Sequence, residues 1–302
     1  MRYALIRCHE SHHHVTSLCT LFGVGRSGYY DWKKREVSQR ASENQRIRAI
    51  IEDLRKNKAV MRTYGSPRMA VELRALGIAC SENRVARIMR DYDIRAVQKK
   101  KFRTGTDAQH DYPIAPNLLA QDFTTAYPDQ VWLSDGTHIW TQEGWLVLAA
   151  VLDLHLRRCV GMAMGPRISS TLARQALLQA IAARRPKPGL IHHSDRGGEY
   201  AAGAYQAVVA RHQMRASMSA TGNCYDNAPM ESFFATLKKE LVYRQTYITR
   251  NEAALSVFHY IEGFYNTHRR HSSLGYLSPL EYEQKITESN QKSMQYSPNP
   301  PY

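Results

Sequence analysis

Three carboxylates stand in settings that favour chemistry. Asp135 closes Val131-Trp132-Leu133-Ser134, Asp195 lies in His192-His193-Ser194-Asp195-Arg196-Gly197-Gly198, and Glu231 ends Asp226-Asn227-Ala228-Pro229-Met230. Thirty-five residues lie between Asp195 and Glu231. Acidic oxygens gathered from distant segments hold hard divalent cations, and such ions drive phosphoryl transfer at a nucleic-acid backbone. Breaking or joining a phosphodiester needs an activated oxygen nucleophile and a stabilised leaving oxygen. Two magnesium ions roughly 3.5–4 Å apart serve both in an in-line displacement. The plainer role for Glu231 is compensation of a helix dipole, worth a few tenths to about 1 kcal/mol. Lys238 follows seven residues later, about two helical turns on and on the same face, where it meets a DNA phosphate or simply solvent. His193 and Asn227 are candidates to orient a ligand or substrate, with packing the alternative for the histidine. Asp153 is a fourth carboxylate whose simpler role is structural.

These groups need a scaffold, and the pattern between them supplies one. Residues 130–140 are rich in β-formers, Glu143-Gly144 can turn the chain, and 145–154 is a nearly continuous apolar run; 158–164 makes a third strand. Ala173, Ala176, Leu177, Ala180 and Ile181 mark a helix, followed by a short strand at 190–194, a helix at 204–211 and a strand at 214–219. Pro229 suits the first turn of a helix through Phe233, Phe234, Leu237 and Leu241. The sum is an α/β core with its strands first. Asp135 then sits on the first strand, Asp195 just after the fourth and Glu231 on a helix start; the first and fourth strands must be neighbours for the site to form. Two capping boxes follow, Thr249-Arg250-Asn251-Glu252 and Ser278-Pro279-Leu280-Glu281, the first opening a helix with Ala254, Val257, Phe258, Ile261 and Tyr265 on one face and the second a short final helix.

The chain carries 41 Lys plus Arg against 27 Asp plus Glu, a net charge of +14 over 302 residues. A polyanionic partner follows naturally, because neutralised phosphates release counterions. The first hundred residues are helical in pattern. Val15, Leu18, Cys19 and Phe22 form one stripe, Gly23-Val24-Gly25 breaks it, and Ser27 is placed to cap a helix carrying Tyr29, Tyr30 and Trp32. A second unit repeats the design. Met69, Leu73 and Leu76 share a face, Gly77 ends that helix, and Ser81 caps one that buries Val85, Ile88, Met89 and Tyr92. Arg84, Arg87 and Arg90 fall on the opposite side, either as DNA contacts or as a solvated face. The polar stretch 266–271 adds Arg269 and Arg270 as DNA-binding candidates.

The expected division is a helix-turn-helix-like segment over 1–40, a second helix-turn-helix domain over 41–98, a basic, proline-punctuated linker over 99–126 opened by Lys99-Lys100-Lys101 with Arg103, a catalytic core over 127–242, a helical extension over 243–288 and a disordered tail over 289–302. No apolar run approaches the ~20 residues of a membrane span, and there is no secretory pattern. Five scattered cysteines suit a reducing cytosol. The His12-His13-His14 run lacks the paired cysteines of a zinc site and reads as surface.

Taken together, several stretches resemble one family. They are His193-Ser194-Asp195-Arg196-Gly197, Asn223-Cys224-Tyr225-Asp226-Asn227-Ala228, Glu231-Ser232-Phe233-Phe234 with Leu237-Lys238, and the run from Tyr265 through Arg269-Arg270-His271 to Tyr276 with Ser278-Pro279. Gly25-Arg26-Ser27-Gly28-Tyr29-Tyr30-Asp31-Trp32 and Tyr64-Gly65-Ser66-Pro67-Arg68 also match. The family is that of the OrfB transposases of retrovirus-like insertion sequences (the IS-three group), with an integrase-type DDE core. Gly136 and His138 depart from its isoleucine and aromatic, and Gly25 from a common serine. The resemblance implies an RNase H-like core of five mixed strands in which Asp135, Asp195 and Glu231 bind two Mg2+ (or Mn2+) ions. It further implies cleavage and strand transfer at the inverted repeats of a mobile element, with target DNA and a second copy of the chain as partners. A small upstream-frame DNA-binding protein, or fusion to it by frameshift, is implied too, in a bacterial cytoplasm at the nucleoid. Two other readings remain open: a helix-turn-helix regulator with an inert core, and a ribonuclease of the same fold.

Overall fold

The computed structural model describes residues 1–36, 38–97, 112–220 and 224–295. The lysine run at 99–101 with Arg103, the loop residues Gly222 and Asn223, and the tail beyond 295 lie outside them.

Short apolar stripes at helical spacing build the first part of the chain. Helices α1 (Arg2–His9), α2 (Val15–Leu21) and α3 (Arg26–Lys34) bury Ile6, Leu18, Cys19 and Tyr29 in a small core. Ser27 lies inside α3 rather than capping it, because extended Gly25, two residues before it, takes the cap position. A second helical unit follows: α4 (Gln39–Asn57), α5 (Ser66–Ala75) and α6 (Glu82–Asp91). Gly77 turns the chain after α5 at φ +79°, a conformation that costs glycine nothing. Ser81 caps α6 by accepting the Arg84 N–H at 3.3 Å. Ile47, Ile51, Met69, Leu73, Val85, Ile88 and Met89 fill its core. Tyr92, expected inside, falls one residue past α6 and is 39% exposed, its ring under the Arg48 guanidinium.

The core sheet comprises β1 (Val131–Thr141), β2 (Gly144–Asp153), β3 (Cys159–Gly165), β4 (Ile191–Ser194) and β5 (Arg215–Met218), in the order β3-β2-β1-β4-β5. The first three form an antiparallel meander, and β4 joins β1, and β5 joins β4, in parallel. The apolar run of β2 is buried along almost its whole length because both faces of the sheet are covered. On one face lie α7 (Ser170–Arg184), α8 (Gly198–Ala201) and α9 (Gly203–Arg211). On the other lie α10 (Ala228–Glu240) and α11 (Arg250–Tyr260).

Helix α7 sits directly on β3. A Cβ at Gly161 would stand 2.3 Å from the Ala176 carbonyl oxygen and 2.7 Å from the Ala180 Cβ, so no side chain fits. Gly161→Ala should therefore lower the unfolding free energy by about 3 kcal/mol, since the obstacle is helix backbone that cannot swing aside. Urea denaturation followed by circular dichroism measures this, and a loss under about 1 kcal/mol would mean that the helix simply shifts outward.

The apolar layer does not stop at residue 242. Met230, Phe233 and Leu237 of α10 share one cluster with Tyr247, Val257, Ile261 and Tyr265. Phe258, expected on the buried face of α11, is 47% exposed, and Ala253 and Tyr260 point inward in place of it. Both caps form, but only the second box is reciprocal, because Glu252 reaches back to the Ile248 N–H at 2.9 Å rather than to that of Thr249. Thr249 Oγ1 accepts the Glu252 N–H at 3.1 Å, while the Ser278 N–H donates to Glu281 at 2.7 Å and Ser278 accepts in return at 3.2 Å. The last helix, α12 (Pro279–Gln295), is longer than a short closing turn and carries the chain past residue 288 as helix.

The α4–α6 unit is docked on the core. Arg270 donates to Glu72 at 3.1 Å and to Glu281 at 2.7 Å, and its backbone N–H reaches the Tyr64 hydroxyl at 3.2 Å. Phe264 packs against the clusters of both units.

Candidate active site

Strand pairing decides where the first two carboxylates emerge. Ser134 of β1 is paired with Ser194 of β4 in a parallel register, so the next residues, Asp135 within β1 and Asp195 just past the end of β4, stand at the same level. The neighbours that the sequence required are neighbours. Local bonds fix both groups: Asp135 Oδ1 accepts its neighbour Gly136 N–H at 2.7 Å, and Asp195 Oδ1 accepts the Gly197 N–H at 2.9 Å. Both line a cavity of about 940 Å³, with Glu199 and Lys238 in the same wall.

The electrostatics of this cavity are those of crowded negative charge. Burial raises the Asp135 carboxyl well above its ordinary range, and the charge of Asp195, then of Glu199 and Glu231, raises it further. Burial raises Asp195 too, against the Gly197 N–H. Lys238, in the wall of the same cavity, is lowered by burial and held up by the charge of Asp135. The Tyr200 hydroxyl is buried with no hydrogen-bond partner among the described residues, and its proton is retained by burial and by the fields of Asp135, Asp195 and Glu199.

Glu231 occupies the first turn of α10 and is exposed. Its charge reaches Asp135, yet it does not line the cavity that Asp135 and Asp195 share, and among the described residues no three acidic, histidine or cysteine groups form a ready metal cage. The other candidates divide. His193 is buried, with Nδ1 2.8 Å from Ser217 Oγ and Nε2 3.2 Å from Ser219 Oγ; it ties β4 to β5 and does not reach Asp195. The Asn227 amide is buried and makes no hydrogen bond to Glu231 or to any other described residue. Asp153 accepts the backbone N–H groups of Asp129 and Leu156 and is a structural residue.

Arg87 and Arg90 are exposed on α6, but Arg84 is drawn back to Glu43 and Asn44 of α4. Arg269 is the clear correction. It is 4% exposed and donates to Glu240 through Nε and Nη2, because the charge and hydrogen bonds of the buried carboxylate offset the desolvation that the guanidinium suffers there. Arg270 likewise bridges two glutamates rather than facing outward.

Sequence reasoning missed Glu199, Tyr200 and a pair of exposed indoles. Trp140 and Trp145 face each other across the turn end of the β1–β2 hairpin, with ring centroids 4.9 Å apart, and both line the acidic cavity. Two tryptophans flanking the Glu143-Gly144 turn of an expected hairpin are the signal that was available for them.

Behind the site, His192 is buried between Ser134 Oγ at 2.8 Å and the Tyr205 hydroxyl at 3.0 Å. Burial depresses its pKa to about 3, so the fold refuses a proton that the unfolded chain accepts near pH 6.5. This depressed base stabilises the fold above the unfolded pKa and loses that contribution as pH falls. Between pH 7 and 5.5 the wild-type protein should lose about 1 kcal/mol more than His192→Gln, because every other titrating group is common to both. Parallel urea curves for the two proteins would reveal a histidine that is already charged in the fold.

An integrase-core protein is what this sheet and acidic cavity define, and the comparisons agree. The family described as "Integrase core domain" matches residues 126–224, a second family of that description matches 231–286, and "HTH-like domain" matches 39–102. The insertion element IS600 31 kDa protein of Shigella sonnei is 44% identical over 268 residues, covering 89% of this chain and 98% of that protein. The transposase InsF for insertion sequence IS3A of Escherichia coli (strain K12) is 40% identical over 287 residues, covering 94% and 99%. More narrowly, then, the chain belongs to the InsF family of IS3-type insertion-sequence transposases. The catalytic core domain of BIV integrase aligns with 54% of the chain and 99% of its own length at 16% identity and a TM-score of 0.41.

Proposed function

We propose that this protein is a DNA transposase that cuts strands at the ends of an insertion sequence and joins them to target DNA. The in-register exit of Asp135 and Asp195 into one cavity, in a chain of this family, carries the reading. The donor set fits a hard divalent cation: two buried carboxylates whose charges repel each other gain from one between them. Asp135 and Asp195 would hold Mg2+ or Mn2+, with Glu231 as the third ligand contributed by α10. When bound, the metal supplies charge neutralisation at the phosphate and activation of the attacking oxygen.

The remaining roles fall to the chain itself. Lys238 contacts the backbone phosphate that lies over the acidic pair. Trp140 and Trp145 offer faces on which a base freed from its stack can rest. Arg87 and Arg90 on α6 meet DNA, as part of a recognition unit over 41–98 that positions the core over 127–242. Joining two element ends calls for at least two copies on DNA, and an upstream-frame DNA-binding protein or a frameshift fusion completes the assembly.

The test is a strand-transfer assay with full-length protein and labelled duplexes taken from the DNA flanking the reading frame. Cleaved and joined products are expected with Mg2+ or Mn2+ and none with chelator. Binding with no cleavage in any metal would instead indicate a regulator, and cutting confined to RNA–DNA hybrids a ribonuclease.

A further inference from the structure

A second cavity, of about 300 Å³, lies between α10 and the segment 265–273, and its wall contains Arg68, Arg157 and Arg269. The hydroxyls of Ser232, Thr236 and Ser273 join them, and no acidic residue lines it among those described. The cations are close enough to act together. His271, in the same wall, has its pKa driven down to about 2 by burial and by the charges of Arg269, Arg68 and Arg157.

Their charges are not fully answered. Glu240 takes Arg269 at 2.8 Å and Arg68 only at 3.7 Å. Arg157 has no hydrogen bond or ion pair among the described residues, although it is half-buried and loses proton affinity through burial. The Asp153 field reaches it, but that carboxylate accepts backbone N–H groups and lies outside the cavity wall. Three guanidiniums set against one glutamate leave two positive charges in a partly desolvated space, a costly arrangement without a counter-anion.

We propose that this cavity is an oxyanion site that takes one tetrahedral phosphate group. Guanidinium forks match phosphate oxygens in pairs, and hydroxyl donors complete the shell. The cavity opens past Ser272 and Ser273, which are exposed, so a phosphate can enter from solvent. It is separate from the acidic cavity: Ser232 and Thr236 face it from α10, whereas Lys238 of that helix lines the other. The proposal goes beyond the transposase reading and holds whether or not the chain cuts DNA. The phosphate comes either from a nucleic-acid backbone or from free phosphate.

Isothermal titration of full-length protein with inorganic phosphate, against chloride at matched ionic strength, tests it. One saturable site per chain is expected. Arg157→Gln should weaken it about tenfold or more, the loss of charge-assisted hydrogen bonds. Ser273→Glu puts a carboxylate at the exposed mouth without touching the core, and should abolish binding while the unfolding transition persists; it carries the test should Arg157→Gln fail to fold. A duplex of unrelated sequence that displaces the phosphate, with a salt slope reduced by about one in Arg157→Gln, identifies the DNA backbone as the source. Independent binding of duplex and phosphate identifies the free anion. No saturable uptake, or equal affinity in wild type and both variants, overturns the proposal.

Discussion

Asp135→Asn should abolish strand cleavage and joining while making the metal-free protein harder to unfold. The two effects share one cause. Asp135 is buried, and its charge is opposed by burial, by Asp195, and by Glu199 and Glu231. The neutral isostere removes that opposition, so the metal-free protein gains stability. It also removes a charged ligand for a hard cation, which should cost on the order of 10³-fold or more in rate. Stability without metal and strand-transfer rate with metal must therefore move in opposite directions. Loss of activity together with loss of stability would mean that Asp135 holds the fold rather than the reaction.

Glu240→Gln should produce the largest stability loss of any single polar substitution in the core. Glu240 accepts from Arg269 Nη2 at 2.8 Å and from the Tyr260 hydroxyl at 2.7 Å, with Arg68 of α5 at 3.7 Å. Removing its charge strands a buried guanidinium, a loss of about 3–5 kcal/mol. Urea denaturation measures it, and pairing the change with Arg269→Met should restore part of the stability, since the orphaned charge goes too. A loss within about 1 kcal/mol, or no recovery in the double variant, would show that water already reaches the pair.

What was legible in the sequence was mostly local. Ser81, Thr249 and Ser278 act within three residues of themselves, so their caps could be read directly. The α10 face was legible for the same reason. The adjacency of β1 and β4 was not, because nothing within 131–141 states which strand lies beside it; it was stated as a requirement and the register met it. The direction of Arg269 was hidden as well, since its partner Glu240 lies on another helix and an arginine looks alike on a surface or in a buried pair. Helix α4 is a different case: Ile47, Ile50, Ile51 and Leu54 recur at helical spacing and were available to be read. The Gly136 departure from the family pattern also resolves, for Ile168 Cδ1 lies 2.8 Å from where a Cβ would stand and fills the space.

Helix α11 lies across β1 and β2, and its apolar side chains share a cluster with both strands and with α10. A gene trimmed after codon 242 would thus yield a fragment with that flank of the sheet naked and with Glu240 deprived of Arg269. Such a minimal piece should aggregate on expression, and biochemists who wish to isolate the catalytic portion will have to retain the chain at least through Glu283, which pairs with Arg158 and Arg184 of the core.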